Sequence, residues 1–322
     1  MNKILKIALN VLIFAVIAGF GYYMIRSMNS DNRTRAGEQH AESTFVSPYT
    51  LVNSFEFNSD VICFDVFDDE IYAVLTDRIS VSSGFDYPGG TFADVRDFMI
   101  NNDGMYLLFP TKIELYNFAK QRESEWNACS DNADYVAMTT SKNYIFVTDA
   151  ANKNIVQYDR KGNLVRFIKS PEGFIIPSHT FDIININDTI YVSNSGRHQI
   201  ESYTLDGEFI SSFGKSGSQA GAFAGCCNPV FLVATSGENI LTSEKGNPRI
   251  SSYGKDGKFR SILFDATMLG GGTNAYRMKV SDDHIYIANK KTVSVYGRNI
   301  LECASATGNS CKNSCSGCPN RK

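Results

Sequence analysis

Short runs of alternating apolar and polar residues, separated by turn residues, recur along most of the chain. They are clearest within residues 189–214, where three runs at 190–193, 199–205 and 208–213 are broken by Asn194-Ser195-Gly196 and by Leu205-Asp206-Gly207. An Asp-Gly pair between two alternating runs is a strong signal of a β-hairpin. A fourth run at 181–186 precedes them. The pattern predicts a unit of four short antiparallel strands.

The unit repeats, marked by an apolar residue plus an aromatic residue or Leu in the second strand and a Tyr closing the third. The copies are Ile145-Phe146 with Tyr158, Ile190-Tyr191 with Tyr203, Ile240-Leu241 with Tyr253, Met105-Tyr106 with Tyr116, Ile285-Tyr286 with Tyr296, and a shorter one at Ile71-Tyr72. The Met105 and Ile285 copies are two residues tighter, which indicates a shorter hairpin. Since one unit cannot bury both faces alone, neighbouring copies should stack. Six copies predict an all-β fold, a six-bladed β-propeller of four-stranded antiparallel blades over residues 49–300.

The two ends of this repeat region are expected to form one blade together. Residues 49–57 alternate like a strand that has no partner nearby, and the last unit ends at Tyr296-Gly297 without a clear fourth strand. A strand from the start of the region would fill that gap and leave no open sheet edge between first and last blades. We therefore expect residues 49–57 to close the ring.

Three of the units also resemble the NHL-repeat family, in which an "IYVAD" strand is followed by an "N-R-I-Q-V-F" strand and an Asp/Lys-Gly turn. The segments are residues 145–168, 190–214 and 240–263. The resemblance is good over residues 140–265, and it is weak in the first two units and in the last one. Ser195 and Glu244 stand where the usual Asp is replaced or displaced. The resemblance implies a six-bladed propeller, with functions in the family that range from protein and RNA binding to lyase activity.

The N-terminus carries a candidate membrane anchor. After a short tail, residues 1–6 with Lys3 and Lys6, residues 7–25 contain no charge before Arg26. A helix of that length rises about 28 Å, which matches the hydrocarbon core of a bilayer. The sequence predicts a single-pass transmembrane signal anchor at 7–26, with a cleaved signal peptide as the alternative.

A polar stretch, residues 27–48, is expected to be a flexible tether. Because a short N-terminal tail before a long domain usually stays cytoplasmic, we expect the propeller on the extracytoplasmic side of the cell membrane. Its partner would then be another membrane or extracytoplasmic protein. The net charge of −3 and the lack of a basic stripe disfavour nucleic acid as a partner.

The eight cysteines are the unusual feature of the composition. Cys303, Cys311, Cys315 and Cys318 lie within a tail, residues 301–322, that has too few apolar residues for a core. Four thiolates can hold an iron–sulfur cluster or a zinc ion, whereas an oxidising compartment favours disulfides instead. The spacing of the last three resembles that of radical enzymes that use S-adenosylmethionine, but the chain lacks their α/β barrel.

Four further cysteines are interpreted separately. Cys226 and Cys227 are adjacent in a glycine-rich loop and are candidate metal ligands; pairing with distant cysteines and burial as small apolar residues are the alternatives. Cys63, in an apolar run, is expected in the core, and Cys129 in a loop, where it could pair with a remote cysteine.

Two insertions, residues 170–180 and 214–229, precede innermost strands and should lie on one face, near the central channel. They bring His179 and Asn228 toward that face, and Arg96, Arg249 and Arg277 are candidates to line an inlet for an anionic group. His179, His198 and His284 are not expected to converge on a zinc ion. Candidate calcium ligands near innermost strands are Asp94, Asp97, Asn228 and Asn274, although such residues also serve as turn formers.

The leading hypothesis is a bacterial, membrane-anchored, extracytoplasmic propeller that acts as a binding or scaffold module and carries a cysteine-ligated metal centre. The first alternative is a redox or electron-transfer accessory protein that binds an iron–sulfur cluster or zinc. The second is a metal-dependent hydrolase or lyase that uses the propeller channel. The sequence identifies no substrate.

Overall fold

The computed structural model describes residues 45–88, 90–225 and 227–299. The chain divides into two units, Met1–Val46 and Ser47–Lys322, and the description below concerns the second. The predicted anchor at 7–26 and the cysteine-rich tail at 301–322 lie outside the described residues. Within the described part of the chain, no helix is both long and apolar enough to cross a membrane.

Twenty-four strands in the described residues form six antiparallel sheets of four, which confirms the predicted six-bladed propeller. Blade 1 contains β2 (Cys63–Phe67), β3 (Glu70–Val74), β4 (Arg78–Val81) and β5 (Asp86–Pro88). Blade 2 contains β6 (Asp97–Asn101), β7 (Gly104–Phe109), β8 (Lys112–Tyr116) and β9 (Arg122–Asn127). Blade 3 contains β10 (Tyr135–Thr140), β11 (Tyr144–Asp149), β12 (Asn154–Asp159) and β13 (Leu164–Ile168).

The second half of the ring continues the same order. Blade 4 contains β14 (Ile183–Ile186), β15 (Thr189–Asn194), β16 (Gln199–Thr204) and β17 (Phe209–Phe213). Blade 5 contains β18 (Phe231–Ala234), β19 (Asn239–Glu244), β20 (Arg249–Gly254) and β21 (Phe259–Phe264). Blade 6 contains β22 (Met278–Ser281), β23 (His284–Asn289), β24 (Thr292–Arg298) and, as its outermost strand, β1 (Tyr49–Glu56).

The first strand of each blade lies innermost, and each contacts the innermost strands of both neighbouring blades, so that β22 meets β2 and the ring is complete. Strand β1 closes the ring by pairing with the last strand of blade 6, as predicted. It pairs with β24 from Tyr49 opposite Arg298 to Glu56 opposite Thr292, with a bulge between Leu51 and Asn53. The Tyr49 ring stacks on Phe264 of blade 5 at 5.8 Å.

The apolar core lies between adjacent blades, where the repeated tyrosines are buried. Tyr158, Tyr203 and Tyr253 are at most 1% exposed. Tyr158 of blade 3, for example, packs 6.1 Å from the Trp126 ring of blade 2. Neighbouring units therefore stack as expected, because each unit buries its second face on the next one.

Turn lengths follow the spacing differences in the sequence. The β7–β8 and β23–β24 hairpins turn in two residues, whereas β11–β12, β15–β16 and β19–β20 leave four residues between their strands. At the outer hairpin of blade 4, Gly207 has φ +85°, and a Cβ there would come within 2.7 Å of Ile168 in blade 3. Glycine is required by both the backbone and the close approach of the neighbouring blade.

Candidate functional site

The central channel contains two adjoining cavities of about 220 Å³ each. Both are lined by Asp182, Phe231 and Arg277. The inner cavity adds Asp65, Asp97 and Lys279 to these three residues, and the outer cavity adds Arg96, Ser178 and His179. We refer to the outer cavity as the channel mouth.

The repeat itself places four channel-lining residues, three of them charged, at the same position of their blades. Asp97 lies opposite Leu108 and Phe231 opposite Ser243, in each case the fifth residue of the second strand. Asp182 and Arg277 hold the same position, since their carbonyl oxygens accept hydrogen bonds from the fifth residues of β15 and β23. Four blades thus contribute one side chain each, at equal depth.

Arg277 crosses the channel from blade 6. Its Nη2 donates to the carbonyl oxygen of Arg96 at 2.6 Å, and its Nη1 lies 3.6 Å from Oδ1 of Asp97, both in the region of blade 2. The guanidinium carbon also lies 4.8 Å from the ring centre of Phe231 in blade 5, within the range of a cation–π contact. Arg277 therefore forms the boundary between the two cavities.

The inner cavity contains a second ion pair, in which Lys279 Nζ lies 3.4 Å from Oδ1 of Asp65. Burial lowers the pKa of Lys279, but the attraction of Asp65, Asp97 and Asp182 outweighs it, so that the pKa is raised. The pKa of Asp65 is raised mainly by burial. Lys279 is therefore a fixed positive charge inside the channel.

The three channel carboxylates also join the blades. Asp65 accepts a hydrogen bond from the amide of Ile100 at 3.1 Å, and Asp97 accepts one from Met138 at 2.9 Å. Asp182 accepts one from the amide of Leu232 at 2.6 Å. Because each bond runs from one innermost strand to the next, these carboxylates have a structural role in addition to any role in binding.

Asp182 is a second buried carboxylate of the channel whose pKa is raised. Burial is the main cause, repulsion from Asp97 adds to it, and the amide donors and Arg277 oppose it, which leaves the pKa at about 7. Asp182 therefore keeps its proton up to near-neutral pH.

The rim of the mouth is formed by the turn Pro177–His179. His179 Nδ1 lies 2.6 Å from Oδ2 of Asp134, and Arg96 Nη2 lies 3.8 Å from Oδ1 of the same carboxylate. The side chain of His179 is 64% exposed. Ser178 and His179 both have positive φ, and the hydroxyl of Thr180 donates to the carbonyl of Pro177 at 2.7 Å, which closes the turn. The loop thus presents an oriented imidazole at the entrance.

Three of the predicted channel residues, Arg96, His179 and Arg277, come together at the mouth, whereas Asn228 and Arg249 do not line it. Asn228 is buried, donates to the carbonyl of Lys245 and accepts from its amide, both at 2.9 Å, so it fixes the glycine-rich loop to blade 5. Arg249 opens a third strand rather than an innermost one. It is buried in an ion pair with Glu244 at 2.8 Å.

The described cysteines differ in environment. Cys63 is buried in β2, as expected, and its pKa is raised to about 12, mainly by burial. Cys129 is exposed, forms no disulfide with another described cysteine, and has its Sγ 3.3 Å from the Tyr158 hydroxyl. Cys227 is buried beside the mouth, with its Sγ 3.8 Å from Oγ of Ser178. Cys226 lies outside the described residues.

Cys303, Cys311, Cys315 and Cys318 also lie outside the described residues, so the tail centre stays a prediction. Across residues 45–88, 90–225 and 227–299, no three His, Cys, Asp or Glu side chains are grouped so as to hold a metal ion. His198 contacts the carbonyl of Gly225, away from His179 on Asp134.

Sequence reasoning did not single out Asp65, Asp134, Asp182, Phe231 or Lys279. A usable signal exists for part of this set. Aligning the units on their second strands places Asp97, Asp182, Phe231 and Arg277 in one column, at the start of the innermost strand. Asp134 precedes that column and gives no comparable signal.

No family model matches the chain, and no curated protein matches it. Among solved structures, the chain is similar to virginiamycin B lyase from Staphylococcus aureus, with 13% sequence identity and a TM-score of 0.54 over 78% of this chain and 100% of that one. It is also similar to a protein of unknown function from Bacteroides thetaiotaomicron, with 12% identity and a TM-score of 0.56 over 78% and 72% of the two chains. The WD40 domain of Neurospora crassa Pan2 gives 10% identity and a TM-score of 0.52 over 79% and 97%.

At these identities the similarity supports the fold alone, an all-β six-bladed propeller. The resemblance to NHL repeats is not confirmed at the level of a family and stays a prediction.

Proposed function

We propose that this protein is a binding module whose propeller binds an anionic group of a ligand, such as a carboxylate, at the channel mouth. The proposal rests on one observation: Arg96, His179 and Arg277 line the same cavity, together with Phe231. The three residues come from separate blades or from the loop between two blades. Loops that several blades project onto one face are the usual binding surface of a propeller.

The two arginines retain donors for such a ligand. Arg96 is 47% exposed, and its contact with Asp134 is long, at 3.8 Å. Arg277 is 30% exposed and meets Asp97 through one nitrogen at 3.6 Å. Neither geometry is the short, two-point pairing that uses the full donor set of a guanidinium. A ligand carboxylate would complete those donors while an apolar part of the ligand contacts Phe231.

Calorimetric titration of the full chain with succinate tests the proposal. We expect saturable binding that Arg96→Ala and Arg277→Ala each weaken by about tenfold or more, because a hydrogen bond to a charged group is worth roughly 1.5–3 kcal/mol. Arg166→Ala, on the outer strand of blade 3, is the matched control and should leave binding unchanged. Equal loss in all three variants, or no loss in any, would contradict a site at the mouth.

We further propose that residues 7–26 hold the propeller at the membrane, with its loop face toward a membrane or extracytoplasmic protein. The uncharged 19-residue run supports this, because it is long enough to span a bilayer. Membrane fractionation of the full chain and of a chain starting at residue 45 tests the anchor. Digestion of the propeller by protease added to intact spheroplasts tests whether the propeller lies on the extracytoplasmic side of the membrane. Recovery of both chains in the soluble fraction would argue against an anchor.

A second candidate function is acid–base catalysis at the same mouth, and it rests on the 2.6 Å contact between His179 and Asp134. A carboxylate on Nδ1 orients an imidazole so that its other nitrogen can take a proton from a substrate. One structure with a similar fold is named a lyase, but the low identity transfers no chemistry. The test is a screen against ester and lactone substrates, in which any turnover should be lost in His179→Ala and retained in His198→Ala.

A further inference from the structure

A larger cavity, of about 570 Å³, lies at the seam where blade 6 meets blades 5 and 1. It shares no lining residue with the two channel cavities. Its walls are the loop through Gly270–Gly272 with Asn274 and Tyr276, the β23–β24 turn with Asn289, Lys290, Lys291 and Thr292, and the β1–β2 connection with Glu56 and Asp60. We call it the seam cavity. Its volume falls within the roughly 300–1,000 Å³ that is usual for ligand sites.

The repeat explains why this cavity exists in blade 6. In blades 3, 4 and 5, the last residue of the second strand is Asp149, Asn194 or Glu244, each at most 2% exposed. Asp149 accepts hydrogen bonds from three loop amides at 3.1 Å, and Asn194 accepts one from Ile175 at 2.9 Å. These side chains are used to fix the adjoining loop to the blade.

In blade 6 the same position is Asn289, which is exposed. Its amide makes no side-chain hydrogen bond to any described residue, and the two-residue β23–β24 turn covers less of the blade than the four-residue turns do. The tip of the glycine loop is open, since Cβ atoms at Gly271 and Gly272 would meet no heavy atom within 4 Å, whereas one at Gly270 would lie 3.4 Å from Nδ2 of Asn289. The position that holds structure together in three other blades is therefore open to a ligand here.

The walls of the seam cavity are nonetheless fixed. The carbonyls of Lys290 and Lys291 accept hydrogen bonds from Val61 at 2.9 Å and Phe57 at 2.8 Å, which tie the turn to the β1–β2 connection. On the other side, the Tyr276 hydroxyl donates to the carbonyl of Gly271 at 2.8 Å. These contacts fix the backbone of the walls, from which the side chains of Lys290 and Lys291 extend.

The chemistry of the cavity selects one class of ligand. Glu56, Asp60, Lys290 and Lys291 contribute two charges of each sign, and none of the four forms an ion pair with another described residue. Asn274 and Asn289 add amides that both donate and accept. Tyr276 is the one aromatic residue in the lining, and it is buried. A lining with charges of both signs, two amides and one aromatic ring suits a neutral ligand whose own groups both donate and accept.

We propose that the seam cavity binds a neutral saccharide through Asn274, Asn289 and the flanking charged side chains. Sugar hydroxyl groups donate and accept at the same time, which matches carboxylate acceptors, ammonium donors and amides placed around one space. The site is independent of the channel mouth, so succinate binding there and saccharide binding here can succeed or fail separately.

Saturation-transfer-difference NMR on the full chain, in a detergent without a sugar headgroup, tests this site. The probes are maltotriose and the methyl glycosides of glucose, galactose, mannose and N-acetylglucosamine. We expect transfer to ring protons of at least one probe, and an affinity lowered by about tenfold or more in the Asn274→Ala/Asn289→Ala double variant. Lys153→Ala, at the corresponding turn of blade 3, is the control and should retain full affinity.

Three results would overturn the proposal: no transfer to any of the five saccharides at millimolar concentration, transfer that the double variant leaves unchanged, or an equal loss in the Lys153→Ala control. Inorganic phosphate serves as a counter-probe. If phosphate binds and the saccharides do not, the cavity recognises an anion through Lys290 and Lys291, and the saccharide assignment is wrong. Because both asparagines are exposed, the double variant should keep the wild-type circular dichroism spectrum.

Discussion

Asp182 in the channel gives a quantitative test of the electrostatics described above. Its pKa rises from an ordinary 3.8 to about 7, mainly through burial and then through repulsion from Asp97. The other charged groups that face it are Arg277 and Lys279, with Asp65 behind the latter. Replacing Asp182 with Asn removes the titrating proton and keeps an oxygen that can accept the hydrogen bond from Leu232.

The sign of the effect follows from proton binding. Between pH 3.8 and about 7 the folded protein retains the Asp182 proton that the unfolded chain has released, so stability falls as the pH rises through this window. At about 1.4 kcal/mol for each pKa unit, the wild type should lose roughly 3 kcal/mol relative to Asp182→Asn between pH 4.5 and pH 8.

Urea unfolding followed by fluorescence is a suitable assay, because Trp126 is the single tryptophan and is buried in blade 2. The quantity to plot is the unfolding free energy of the wild type minus that of Asp182→Asn at each pH, which cancels the titration of distant groups. Asp188→Asn, at the exposed β14–β15 turn, is the matched control for an Asp-to-Asn change outside the channel. If the Asp182 difference is constant to within about 0.5 kcal/mol, the assignment of a raised pKa is wrong.

Further predictions concern closure, a buried ion pair and the tail. Deleting residues 49–57 leaves blade 6 with three strands and an open edge, so the melting temperature should fall; an unchanged value would refute closure by β1. Arg249→Ala leaves Glu244 buried without its partner and should cost about 3–5 kcal/mol in urea unfolding while succinate still binds the folded protein. Anaerobically purified protein should contain iron or zinc that is lost in Cys311→Ser; metal-free protein with four fewer titratable thiols would indicate disulfides instead.

Much of the fold is determined locally in this sequence. The alternation of apolar residues, the Asp-Gly turns and the recurrent Tyr predict the blades, because hairpins form between residues that are near in the chain. The spacing differences at Met105 and Ile285 also predict which hairpins are two residues shorter than the others. Closure by residues 49–57 follows from counting strands. The last unit lacked a fourth strand, and the strand at 49–57 had no partner nearby.

The candidate sites depend on tertiary contacts. Arg249 and Arg277 are both arginines at or next to the start of a strand, but one is buried on Glu244 and the other crosses the channel to blade 2. Asn194 and Asn289 end equivalent strands, but one fixes a loop and the other faces a cavity. The sequence determined how many blades form and where the second and third strands of most blades lie. Which polar side chains are used up within the blades, and which stay available to a ligand, is decided by packing between residues far apart in the chain, for which local periodicity carries no signal.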